Sequence, residues 1–165
     1  MHQIAFESIV TQSGMEAVSR MAAEIWTEHY GPIIGNAQVN YMLEKFQSPA
    51  AIAGQIKEGY EYFFLCQNGE KEGYMGIQPQ NGRLFLSKLY VRKSSRGQGV
   101  ARAAAVFARD LCRSRGLSAI WLTVNQNNTG AVSAYKKLGF EVVREEAADI
   151  GEGYVMDDYI MEMRV

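Results

Sequence analysis

The chain has 165 residues, 47% of them apolar and 21% charged, with a net charge of −1. That length suits one domain spanning 1–165 and closing a single hydrophobic core, and the composition excludes a disordered chain. A balance so near neutrality gives no global electrostatic case for nucleic acid or an acidic membrane surface as a partner.

The opening residues "MHQIAFESIV" lack the basic start and long apolar region of a secretory signal. No apolar run approaches the roughly 20 residues that span a bilayer. Cys66 and Cys112 stand far apart with no metal-ligand spacing around them, so two reduced core thiols in a cytoplasmic protein are expected.

In chain order, Ile4 to Val10 predicts a first strand. Met15, Val18, Ala22 and Ile25 recur at spacings of three and four, which predicts a helix from Met15 to about His29, stopping near Gly31-Pro32. Asn36 to Phe46 and Pro49 to Glu58 read as further helices, the second capped by the serine before its proline. Strands follow at Tyr62–Cys66, Gly73–Gln78 and Leu84–Val91, separated by tight turns at Asn68-Gly69 and Asn81-Gly82. Val100, Ala104, Phe107 and Leu111 mark a helix that Gly116 ends. Ile120–Val124 is a strand and Thr129–Leu138 a helix closed by Gly139. Phe140–Arg144 and Tyr154–Met163 complete the sheet. A meander followed by one strand–helix–strand crossover predicts a mixed α/β (α+β) fold, its mostly antiparallel central sheet flanked by helices.

The stretch "SSRGQGVARA", Ser94 to Ala103, carries chemistry. Two glycines lie where a strand gives way to a helix. A helix N-terminus offers N–H groups without intrahelical partners and a partial positive charge, so it favours an anion. Glycines let a phosphate approach the backbone, and Arg96 and Arg102 flank the turn with charge-assisted donors. A nucleotide-binding Gly-Lys-Ser/Thr loop is excluded by Gly99-Val100-Ala101. A dinucleotide fingerprint is excluded by Arg102 where a third glycine belongs. The competing reading is a turn that merely caps a helix.

Leu89-Tyr90-Val91 through Arg96-Gly97-Gln98-Gly99-Val100-Ala101 resembles the acetyl-CoA motif of the GNAT family of N-acetyltransferases, Arg/Gln-x-x-Gly-x-Gly/Ala. A second block, from Asn128 through Ala131, Tyr135 and Gly139 to Phe140, is similar to that family's Asn-x-x-Ala-x-x-x-Tyr-x-x-x-Gly-Phe signature. The resemblance is firm from Leu84 to Phe140 and loose in the N-terminal third. It implies the acyl-CoA N-acyltransferase fold and acetyl-CoA as cosubstrate, with no metal. It further implies that the backbone of Leu89, Tyr90 and Val91 pairs with the pantetheine arm as an added strand would. The amides of Gly97, Gln98, Gly99, Val100, Ala101 and Arg102 would hold the pyrophosphate, and Asn128 the pantetheine. Tyr135 would be the general acid for the departing thiolate, a phenol with a pKa near 10 being protonated at neutral pH. For Asn128 the competing reading is an ordinary N-cap; for Tyr135 it is packing on the sheet.

Family members often carry a glutamate on the strand of the Leu-Tyr-Val segment, but here that strand, Leu84 to Val91, has no carboxylate. The general base therefore stays unassigned: solvent, a water chain, or Glu28, which reads more simply as a solvated helix end beside His29. Glu24, Glu28, Glu152, Asp157 and Asp158 are acidic residues noted around the acceptor side, where carboxylates bind a cationic amine; the competing reading is ordinary surface acids. Trp26, Tyr30 and Tyr154 are aromatic companions, with a core role for Trp26 as the competing reading. The ending "GYVMDDYIMEMRV" and the Tyr135-Lys-Lys-Leu-Gly-Phe block are similar to bacterial spermidine/spermine acetyltransferases, which implies a polyamine or another small primary amine as acceptor. Alternatives are a protein N-terminal amine, as in ribosomal-protein acetyltransferases, and a non-catalytic acetyl-CoA-binding regulatory module. Neither nucleic acid nor membrane is an expected partner; a homodimer through exposed strand ends stays open.

Overall fold

The computed structural model describes residues 3–165. It contains seven strands and five α-helices in the order β1 (Ile4–Ser8), α1 (Gln12–Ile34), α2 (Asn36–Gln47), α3 (Pro49–Lys57), β2 (Glu61–Gln67), β3 (Glu70–Gln80), β4 (Arg83–Val91), α4 (Val100–Arg115), β5 (Ala119–Asn125), α5 (Thr129–Leu138), β6 (Glu141–Gly151) and β7 (Tyr154–Arg164). The strands form one sheet in the order β1-β2-β3-β4-β5-β7-β6. β4 and β5 pair in parallel, joined by the α4 crossover, whereas β1–β2, β2–β3, β5–β7 and β6–β7 are antiparallel. The expected mixed sheet with helices is thus the observed architecture.

Local sequence accounts for most of the boundaries. Thr11 caps α1 by accepting from the Gly14 N–H at 3.1 Å, and Ser48 caps α3 through the Ala51 N–H at 3.2 Å. Asn68-Gly69 and Asn81-Gly82 both have positive φ at their two residues, as a tight hairpin turn with matching twist requires.

Three expectations need correction. Helix α1 begins earlier and does not stop at Gly31-Pro32; it runs through Pro32 to Ile34. Proline there removes one hydrogen bond close to the helix end, and the true stop is Gly35, with φ +88° and its N–H on the Gly31 carbonyl at 2.9 Å. β6 reaches Gly151 rather than Arg144, held by its pairing with β7; its residues up to Asp149 are exposed and carry no alternating apolar signal in the sequence. Its hairpin to β7 turns at Glu152-Gly153, again with two positive φ values, a pair less recognisable than Asn-Gly. Cys112 is buried as a core thiol, but Cys66 is only half-buried, with its Sγ 3.8 Å from Glu7 Oε2.

The chain divides into two compact units. The first comprises the residues up to Gln78 together with Lys88–Ala104. In it, α1, α2 and α3 pack on one another and bury Val18, Ile25, Val39 and Ile52, while the strands bury Leu65, Tyr74 and Met75. The second comprises Pro79–Ser87 with Ala105–Val165. Its core is built from Leu84, Ala108, Ile120, Leu122, Phe140 and Met161. Here Leu84 pairs with Ile120 and Phe85 with Trp121, whose rings stack 4.1 Å apart. Among the described residues, no helix is long and apolar enough to cross a membrane.

Candidate active site

In the first unit, the segment Leu89-Tyr90-Val91 ends β4 with all three residues half-buried. It lies close against β3: a Cβ placed on Gly73 would collide with the Tyr90 carbonyl oxygen and stand 3.1 Å from the Val91 Cα. Only glycine permits that approach, so the path of this segment is set by its neighbour. Glu72, the preceding residue, fixes what comes next. Its carbonyl accepts from the Arg92 N–H at 2.8 Å and its carboxylate from the Ser95 hydroxyl at 2.6 Å. Ser95 closes a single 3₁₀ turn, Lys93–Ser95, and is itself buried.

The loop then opens. Gly97 has φ +78° and Gly99 φ +83°, the left-handed region in which a side chain is strained, and a Cβ on either would meet nothing within 4 Å. The bond that closes the first turn of α4 runs from the Ala103 N–H to the Gly99 carbonyl at 3.0 Å. The N–H groups of Val100, Ala101 and Arg102 therefore have no partner inside the helix. Open space over two glycines beside a helix N-terminus fits a phosphate group.

Arg96 does something else with its side chain. Its Nε donates to the Val91 carbonyl at 3.0 Å, and its two terminal nitrogens donate to Glu28 of α1 at 2.7 and 3.2 Å. The guanidinium thereby ties the end of β4, the loop and α1 together. Glu28 is exposed, as expected from sequence, but it is paired with Arg96 and lies six residues before the end of α1. The Arg96 hydrogen bond, reinforced by its charge, holds the Glu28 carboxyl below the usual carboxylate range, which disqualifies it as a proton acceptor near neutral pH. Arg92 Nε lies 3.2 Å from Glu24 Oε2 but without hydrogen-bond alignment. Gln98 is exposed and donates to the Ser94 carbonyl at 3.2 Å, and Arg102 is exposed.

Behind this segment runs a chain of polar groups. Trp26 Nε1 donates to the Tyr74 hydroxyl at 2.9 Å, which donates to Gln47 Oε1 at 2.6 Å. Gln47 Nε2 donates in turn to the Tyr62 hydroxyl at 3.1 Å, and Tyr62 to Gln55. Burial pushes the Tyr74 phenol well above its ordinary pKa and that of Tyr62 up to about 12, so both remain donors. Trp26 is thus a core residue. Tyr90 packs on it, with ring centroids 5.3 Å apart, and meets Tyr30 through their hydroxyls at 3.1 Å. On β4, Lys88 lies against the bare backbone of Gly76, and burial lowers its pKa to about 8.

The remaining sequence-predicted residues belong to the second unit. Asn128 is buried and caps α5, its Oδ1 accepting from the Ala131 N–H at 3.4 Å. The capping role is therefore real, and it uses only the oxygen of the side-chain amide. Tyr135 lies seven residues into α5, half-buried, its ring meeting Phe140 edge-on at 5.6 Å between centroids. Of the acidic residues, Asp157 and Glu152 are exposed, while Asp158 is 7% exposed with Oδ1 buried and without a hydrogen-bond partner. The sequence places Asp158 among five acidic residues around the acceptor side and does not set it apart as the buried one. The signal available was its alternation with Ile160, two residues further along β7 and likewise buried, in a strand paired on both sides.

Comparison with known proteins gives a consistent result. The profile of the acetyltransferase (GNAT) family matches residues 20–140. The streptothricin acetyltransferase of Streptomyces lavendulae is 32% identical over 89 residues, covering 53% of this chain and 47% of that protein. The chain thus spans about half the length of that relative. An uncharacterised N-acetyltransferase from Lactobacillus delbrueckii subsp. lactis is 22% identical over 152 residues, covering 87% of this chain and 88% of the relative. Among solved structures, the PaiA N-acetyltransferase from Thermoplasma acidophilum in complex with coenzyme A superposes with a TM-score of 0.82 at 18% identity, covering 99% of each chain, a likeness of fold.

Proposed function

The chain belongs to the acetyltransferase (GNAT) family, and from that premise we propose that it transfers an acetyl group from acetyl-CoA to a small primary amine such as a polyamine. The observation that carries this reading is the loop after β4, with two left-handed glycines opening onto the N-terminus of α4. In this reading residues 1–165 act as one acetyltransferase domain. The backbone of Leu89, Tyr90 and Val91 pairs with the pantetheine arm, and the amides of Gly97 to Arg102 receive the pyrophosphate. Arg96 holds the loop in shape through Glu28 and the Val91 carbonyl. Asn128 offers the pantetheine its side-chain nitrogen while its oxygen caps α5.

The acceptor amine attacks the thioester carbonyl carbon directly, giving a tetrahedral intermediate. The carbon–sulfur bond then breaks, the thiolate takes the Tyr135 hydroxyl proton, and a proton from the attacking nitrogen restores the phenol. Acetyl-CoA supplies the activated acyl group; the chain supplies position, an anion cradle and proton transfer.

Release of CoA thiol from acetyl-CoA, measured with spermidine, streptothricin, an aminoglycoside and an N-terminal peptide in turn, tests this. Amine-dependent release with a small amine is the expected result. A folded sample that binds acetyl-CoA yet releases no thiol with any of them would make it a binding module instead. Release with the peptide alone would make the acceptor a protein amine.

A further inference from the structure

The acceptor side lacks an assigned proton acceptor: β4 carries no carboxylate, and Glu28 is committed to Arg96. The second unit holds a carboxylate in a very different state. Asp158 lies on β7 between two strands, opposite Asn125 of β5 and opposite Glu146 of β6. It is 93% buried by its 7% exposure, and its Oδ1 has no hydrogen-bond partner. A buried polar atom left unsatisfied costs stability, and such atoms persist where a ligand or a reaction uses them.

The local backbone connects this carboxylate to α5. At the end of β5 the chain turns through Gln126, whose N–H donates to the Asp157 carbonyl at 2.9 Å. Asn125 receives the Asn128 N–H on its carbonyl at 3.0 Å and the Asn127 N–H on its side chain at 2.9 Å. The turn that starts α5, and with it Tyr135, is therefore pinned to β7 at the residue beside Asp158.

We propose, resting on the acetyltransferase reading, that Asp158 is the acceptor-side carboxylate: it binds the ammonium of the substrate amine and removes its proton before attack. Glu146 faces it from β6 and Asp157 adjoins it on β7, so the surroundings attract a cation; β5 contributes the neutral Asn125. Tyr159 follows on β7, opposite Glu145, and the basic Arg144 pairs further along with Ile160. Burial, and then the charges of Glu146 and Asp157, raise the Asp158 pKa to about 6, close to what a base working near neutrality needs.

The step balances. The ammonium gives one proton to the Asp158 carboxylate, and the neutral nitrogen forms the new bond to the acyl carbon. The sulfur leaves with the Tyr135 proton, and the second nitrogen proton restores the phenol. Asp158 returns its proton to solvent.

The test uses the full-length protein and the amine giving fastest thiol release. Asp158→Asn should lower kcat/KM for that amine by about 100-fold or more while leaving acetyl-CoA affinity unchanged by calorimetry. The wild-type kcat/KM should fall on an acid limb near the Asp158 pKa of about 6, and the variant should lack that limb. Glu146→Gln, at an exposed position, should move the limb to lower pH. An Asp158→Asn variant that binds acetyl-CoA and keeps its kcat/KM overturns the proposal. Should that variant fail to fold, an acid limb unmoved by Glu146→Gln overturns it and a shifted limb supports it. Wild-type protein releasing no thiol with any amine defeats the acetyltransferase reading itself, and this inference with it.

Discussion

Two stretches of the molecule treat their charged groups in opposite ways. Around the glycine loop, Arg96 is shared between Glu28 and the Val91 carbonyl, and the Ser95 hydroxyl is held by Glu72. At the Asp157-Asp158 step of β7, a buried carboxylate oxygen has no partner, and its charged neighbours are of its own sign. Groups paired within the protein hold a shape ready for a ligand of fixed form. A buried oxygen without a partner can accept from a donor outside the chain, the role proposed for Asp158. In the proposed reading, the first pattern serves a cosubstrate held by its phosphates and extended arm, and the second a cationic acceptor.

That contrast is sharpest where the loop itself is broken. Gly99→Val puts a β-branched side chain at φ +83° and should abolish measurable acetyl-CoA binding in calorimetry, with the circular dichroism spectrum kept. Retained affinity would detach the loop from the cosubstrate.

Tyr135→Phe leaves the ring contact with Phe140 intact and removes only the hydroxyl. It should lower kcat by about 100-fold while acetyl-CoA affinity is nearly kept. An unchanged kcat would remove the general-acid assignment and leave Tyr135 as a packing residue.

The smallest effects compare the two carboxylates directly, through thermal melting against pH. Glu28 has a lowered pKa in the fold, so its contribution is present above its unfolded pKa of 4.5 and fades as the pH falls through the folded value. Glu28→Gln should therefore destabilise at pH 7, by about 1 kcal/mol or less for a pair this exposed, and the difference should vanish in acid. Asp158 has the opposite sign. Its pKa rises from 3.8 to about 6, so stability is lost as the pH rises through that value. Asp158→Asn should raise the melting temperature at pH 8 and leave it unchanged at pH 4. Matching pH profiles for the two variants would erase the distinction between paired and unpaired sites.

The legibility of the chain follows the same division. The Asn-Gly turns, the Ser48 cap and the helix spacing of Val18, Ala22 and Ile25 are local choices, made by residues whose preferences act within a few positions. β6 is only half legible in the sequence because an exposed strand has no buried face to impose alternation. Its pairing with β7 is what makes it a strand.

The order of elements and the glycine-loop motif are readable along the chain, since glycine spacing and helix starts are written in short runs of residues. The sequence could name Glu28 and Asp158 as acids and go no further. It takes the folded structure to show that Arg96 pairs with the first and that the second is buried on β7 with its Oδ1 unpartnered. A carboxylate's charge state depends on the solvent and charges around it, and those are set by residues distant in the chain: 68 positions apart for Arg96 and Glu28.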